Sequence, residues 1–294
     1  LTLEITKKLK RVLRCPFLLP APCAKLAGMN ELLPGLVAIL IYIALAYWQW
    51  RSWSASQAEP SRGAFLGLAA LAVSLHGLSV YTLIDTAGGF NFGFFRVSSL
   101  IFWVINITVL VSSIKLPVRS LLPPLFLMTA IGILCSLFVD DTYTPHPLDY
   151  PIALHILLSI LAYSILTIAA VQALALALQD RLLKTHQLNR AMAFLPPLQT
   201  MESLLFEMIR AGATLLACSI ASGLLFIDDI LAQHLAHKMF FSLAALGVYS
   251  VLLWGRRTHG WRGKQAIRWT LGGFAALMFA YFGTKLGLEF LLHR

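Results

Sequence analysis

Eight apolar blocks set the terms for this chain, because each comes close to the ~20 residues a helix needs to cross a bilayer. They run roughly over residues 34 to 50, 64 to 85, 97 to 114, 121 to 139, 150 to 178, 204 to 226, 239 to 255 and 268 to 292. Polar connectors fall between the blocks and no amphipathic stripe runs through them, so a large soluble core is excluded. Open strands cannot satisfy their backbone in lipid, which leaves helices. With 59% of residues apolar and 12% charged, the expected fold is all-α: a polytopic membrane bundle of about eight transmembrane helices and no soluble domain.

Orientation follows from the basic residues, which collect in cytoplasmic loops. Arg51 and Arg62 fall in the first connector, Lys115 and Arg119 in the third, and Arg181, Lys184 and Arg190 in the fifth. The seventh holds Arg256, Arg257, Arg262, Lys264 and Arg268, whereas the second, fourth and sixth hold only Arg96 and Lys238. Both termini are therefore expected outside. Residues 1–28 run against this, because Lys7, Lys8, Lys10, Arg11, Arg14 and Lys25 would sit on the outer face. A natural start at Met29 resolves the conflict, making residues 1–28 an upstream extension and 29–294 a single transmembrane domain. A cleaved signal peptide fits less well, since Pro16, Pro20 and Pro22 interrupt the short apolar stretch. Net charge is +10, yet it spreads along one membrane face, so nucleic acid is not an expected partner and membrane lipid is.

Chemistry falls to the eight histidines. His155 opens one of the longest uncharged runs, Ile152 to Gln179, where a polar group is a functional candidate by default. His76 lies inside the second block, in its outer half. His234 and His237 are one turn apart at the entrance of the seventh, and His293 closes the last. His146, His186 and His259 read as solvent-facing. The expected topology brings His76, His155, His237 and His293 to one depth although they come from four helices. Neutral imidazole binds zinc, copper or haem iron, but no HExxH or CxxC spacing is present to favour zinc. An apolar slot between helices with one or two axial histidines suits haem. Cys135 and Cys218 read as small buried hydrophobes. Glu207 and Arg210, and Lys285 and Glu289, are spaced for local ion pairs, and Trp48, Trp50 and Trp53 read as an interfacial belt.

Several segments carry a family resemblance. His155-Ile156-Leu157-Leu158-Ser159-Ile160-Leu161-Ala162-Tyr163 resembles the start of a helix in the cytochrome c assembly membrane proteins of the CcsA and CcmC type. Gly89 to Trp103, Glu202, Ser222-Gly223, Gly260-Trp261-Arg262-Gly263 and Tyr281-Phe282-Gly283 follow in the family's order, over most of residues 64 to 292. The resemblance implies haem handling at the outer face of the membrane, with histidines as axial ligands, for attachment to apocytochrome c. His155 corresponds to one such ligand, and His293 falls near a second.

Departures narrow what is implied. The family's tryptophan-rich outer loop corresponds here to Phe226-Ile227-Asp228-Asp229-Ile230-Leu231-Ala232-Gln233-His234, which has no tryptophan. Trp254 stands where the synthase branch has a histidine, and Phe95 and Ser98 replace the Asn and Glu before the third helix. The pattern is closest to the short YpjD/HemX-like branch, in which a histidine near His237 also recurs. The expected function is a haem-binding bacterial inner-membrane protein in cytochrome c assembly, a carrier or assembly factor without lyase activity. Its cofactor would be haem b, with His155 and His76 as iron ligands, His237 and His293 as further candidates, and other cytochrome assembly proteins as partners. The residues also allow a secondary transporter without bound haem, in which His76 and His155 relay protons.

Overall fold

A computed structural model of the chain describes residues 21–55, 61–86, 88–116, 118–139, 149–185, 196–226 and 233–283. Eight α-helices occur among them: α1 (Ala21–Ala55), α2 (Arg62–Ile84), α3 (Phe94–Lys115), α4 (Leu122–Phe138), α5 (Tyr150–Lys184), α6 (Leu198–Phe226), α7 (Gln233–Thr258) and α8 (Lys264–Met278). A two-residue hairpin, β1 (Asp85–Thr86) with β2 (Gly89–Phe90), joins α2 to α3. Six helices are long and apolar enough to cross a membrane, and the molecule is a helical membrane bundle. Helices α4 and α8, with 17 and 15 residues, are the short ones; α4 is about 25 Å long at 1.5 Å per residue. Residues 1–20 and 284–294, with Lys285, Glu289 and His293, lie outside the described residues.

The apolar core divides at the middle of the sequence. Tyr42, Phe65, Ile105, Leu125 and Phe126 belong to a cluster built mainly from α1 to α4, and Leu166, Leu205, Ile209, Tyr249 and Leu277 to one built from α5 to α8. Helix α3 packs against α5 and joins the two halves. Lipid cannot drive helices together hydrophobically, so close backbones and interhelical hydrogen bonds carry association. Asn106 Nδ2 donates to Thr129 Oγ1 at 2.6 Å, and Gln172 Nε2 to the Met201 carbonyl at 3.1 Å. Trp103 Nε1 donates to the Val73 carbonyl at 2.9 Å. That last bond depends on Gly77, where a Cβ would stand 2.7 Å from Trp103 Nε1. Gly77→Val is expected to cost about 1–3 kcal/mol by overpacking, read as a lower unfolding midpoint in detergent. Gly67→Val, on the same helix with nothing within 4 Å, should leave the midpoint in place.

One end of the bundle is basic. Arg62 Nη2 donates to the Ser113 and Ile114 carbonyls at 3.1 and 2.7 Å, capping the negative end of α3. Between α7 and α8 the chain turns through Gly260 and Gly263, at φ +65° and +53°, backbone that favours residues without a Cβ. The turn lays the Trp261 ring against Gly255, and Trp261 stacks on Trp269. Here too sits Glu202, 4% exposed, accepting from Arg256 Nη1 at 2.8 Å and Arg262 Nε at 3.2 Å.

Some expectations did not hold. Cys218 is exposed and Cys135 partly so, because each lies on a helix face turned from its neighbours, where lipid accepts a small apolar group. Glu207 and Arg210 both point outward and form no ion pair among the described residues; the acid of α6 that is paired is Glu202.

Candidate functional site

At the hairpin end, opposite the basic one, a cavity of about 330 Å³ opens between α3, α5, α6, α7 and the last turn before residue 284. Ligand pockets commonly measure ~300–1,000 Å³. Its walls are mainly apolar, with Val97, Ile101, Leu216, Ile220, Leu224 and Met239 among them, and the polar groups are few: His155, Ser159, Tyr163, Ser219, Lys238, Ser242 and Tyr281.

His155 reaches this wall from the start of α5, which Asp149 and Pro151 open; proline is tolerated there because its missing N–H would lack a helical acceptor anyway. Across from it, α6 presents Ser219, Ser222 and Gly223, small residues at the i, i+3 and i+4 positions that let two helices approach closely. A Cβ on Gly223 would lie 3.0 Å from His155 Cε1. His155 Nδ1 stands 2.9 Å from the Ser219 carbonyl and 3.2 Å from Ser222 Oγ. A carbonyl can only accept, and the Ser222 hydroxyl already donates to that same carbonyl at 2.8 Å. Both contacts therefore require the proton on Nδ1. Nε2 of the neutral ring is left with its lone pair, and it has no hydrogen-bond partner among the described residues. Ser159, one turn along α5, donates to the His155 carbonyl at 2.8 Å and meets Ser219 Oγ at 2.7 Å, bracing the pair of helices.

Two tyrosines face the same space. Tyr163 OH donates to the Leu277 carbonyl at 2.9 Å and Tyr281 OH to the Phe94 carbonyl at 3.3 Å. Their rings are 5.6 Å apart, and Tyr281 also stacks on Phe94 at 5.3 Å. Tyr281 lies in a π-helical turn, Phe279–Gly283, that continues α8; such turns are rare and frequent at functional sites.

His76 is elsewhere. It is wholly buried, with Nε2 3.0 Å from Ser99 Oγ and its ring edge-on to Tyr42 at 6.0 Å. Ser99 lies on the face of α3 opposite Val97 and Ile101, which line the cavity, since two residues rotate about 200° around a helix. Helix α3 thus stands between His76 and His155. His76 Nδ1, Tyr42 OH and Ser79 Oγ are buried without a hydrogen-bond partner among the described residues. His237 is in the first turns of α7, but its side chain, like His293, lies outside the described residues. His259 is exposed beside Trp254 and Trp261 at the basic end. No group of three or more His, Cys, Asp or Glu that could hold a metal ion occurs among the described residues.

The family described as "Cytochrome C assembly protein" matches residues 64–292. "Inner membrane protein YpjD" of Escherichia coli K12 is 30% identical over 224 residues, covering 74% of this chain and 84% of the relative. An Azospirillum brasilense protein titled "Uncharacterized 28.8 kDa protein in nifR3-like 5'region" is 34% identical over 143 residues, 48% of this chain and 53% of that protein. No solved structure matches. Six helices among the described residues are long and apolar enough to cross a membrane, and the chain is a multi-pass protein of the inner membrane.

The residues that carried the family resemblance are scattered in sequence, and the structure gathers several at one cavity: His155, Ser159, Tyr163, Gly223 and Tyr281 all line it. Ser219, Met239 and Ser242 escaped notice, since isolated serines and a methionine in apolar helices carry no periodic signal, and Lys238 was read only as a connector charge.

Proposed function

Because the chain belongs to the cytochrome c assembly protein family, we propose that it binds haem b in the cavity beneath His155, as a carrier or assembly factor without lyase activity. The orientation of one imidazole supports this reading above all else. Nδ1 is held as a donor by the Ser219 carbonyl and Ser222 hydroxyl, the arrangement by which proteins fix a metal-binding histidine and raise its basicity. Nε2 is then the atom offered to iron. Leu216, Ile220 and Leu224 give the apolar wall a macrocycle needs. Bound haem would supply an iron centre for later attachment to an acceptor; the residues of this chain bind it, orient it and keep water from it.

The test is haem uptake by the detergent-purified full chain, isolated from haem-sufficient cells and then titrated with haem b. A Soret band, with a pyridine haemochrome near one haem per chain, is the expected result. Folded protein that stays colourless overturns the proposal and favours a proton-relaying transporter. Gly223→Val is expected to push the His155 ring aside and weaken haem roughly ten-fold, the lower end of what disturbing a ligand's surroundings costs, with His155 still present.

A further inference from the structure

A second cavity, of about 340 Å³, lies at the basic end between α5 and α8 and is lined by Ala177, Asp180, Arg181, Lys184, Thr185, Lys264, Ile267 and Arg268. Four cations and one carboxylate converge on it. Lys184 is tied to Asp180, one turn earlier on α5, while Arg181, Lys264 and Arg268 are in no ion pair among the described residues. The start of α8 opens into the same space without a side-chain cap, adding its N-terminal dipole to the positive field. Beside the cavity the surface turns apolar. Leu174 and Leu178 are 55% and 56% exposed, and with Arg181 they occupy positions i, i+4 and i+7 of α5, a single helix face. From this adjacency we infer that the cavity is a binding site for the phosphate of an anionic glycerophospholipid, with an acyl chain lying along Leu178 and Leu174. Free phosphate would use the cations and leave the leucine stripe without a role. The site lies at the opposite end of the bundle from His155 and does not depend on haem binding.

Native mass spectrometry of the full chain, released from mixed phosphatidylglycerol and phosphatidylcholine vesicles, tests it. The wild type should retain phosphatidylglycerol in preference to phosphatidylcholine. A surface cation contributes about five-fold to binding such lipids, so the pair Arg181→Gln with Arg268→Gln should lower retention about thirty-fold. Arg181→Lys with Arg268→Lys should stay within a few-fold of wild type, and Arg210→Gln with Arg257→Gln, exposed cations elsewhere, should change nothing. If the double variant does not fold, the single variants read the same effect at about five-fold each. Undiminished retention in the Gln variants, equal retention of the two lipids, or displacement by millimolar inorganic phosphate would overturn the assignment, the last by giving the site to free phosphate.

Discussion

His155→Ala is expected to abolish the Soret band of the purified protein and to weaken haem uptake more than roughly a hundred-fold, beyond the 10- to 100-fold that perturbing a ligand's second neighbours costs. The expectation rests on Nε2 being the one imidazole lone pair among the described residues on the cavity wall, its tautomer set by Ser219 and Ser222. His76→Ala should leave the spectrum in place, because α3 separates His76 from the cavity. It should instead lower stability, since His76 fills a wholly buried position against Tyr42 and Ser99. Absorption spectra and unfolding midpoints of both variants decide the matter together. Loss of the band in His76→Ala with its retention in His155→Ala would move the haem to the first half of the bundle. Loss in both, with midpoints unchanged, would require the two histidines to act on one haem, against the placement of α3.

Hydropathy made the helices legible and could not make their arrangement so. Each of the eight blocks corresponds to a helix, the last as far as residue 283 among the described residues, because burial in lipid imposes the same requirement on every span. Which histidines meet is a question of helix rotation, and an all-round apolar helix carries no stripe to reveal it. His76 and His155 therefore share a depth in sequence and no site in space. His155 was visible because an imidazole in a long uncharged run is costly without a role. Of the groups that orient it, Ser222 entered only through the family resemblance and Ser219 not at all, since a serine is ordinary in such a helix. Glu202 shows the same limit from another side: spacing along one helix pointed to Glu207 with Arg210, while the real partners, Arg256 and Arg262, lie more than fifty residues away.

That ion cluster sets up an unequal pair of mutations. Glu202 is almost wholly buried, with 5% of its side chain exposed, whereas Arg256 and Arg262 keep 33% and 59% exposure. Removing the acid frees two cations that water can reach, so Glu202→Gln is expected to cost about 1–2 kcal/mol, the lost charged hydrogen bonds less what hydration returns. Removing Arg256 leaves a buried carboxylate held by Arg262 alone, at 3.2 Å, and takes away the guanidinium packed 4.5 Å over the Phe206 ring. Arg256→Ala should therefore cost more, about 3 kcal/mol, toward the range seen when a buried charge loses its partner. Arg256 lies in the last turn of α7, the helix end whose dipole favours a cation. If the unpaired carboxylate is the source of the larger cost, adding Glu202→Gln to Arg256→Ala should raise the unfolding midpoint above that of Arg256→Ala alone. A midpoint that falls further would mean that the guanidinium stabilises the α7–α8 turn through Phe206 and the Trp261 carbonyl, to which it also donates at 3.3 Å, and that the charge of Glu202 is incidental.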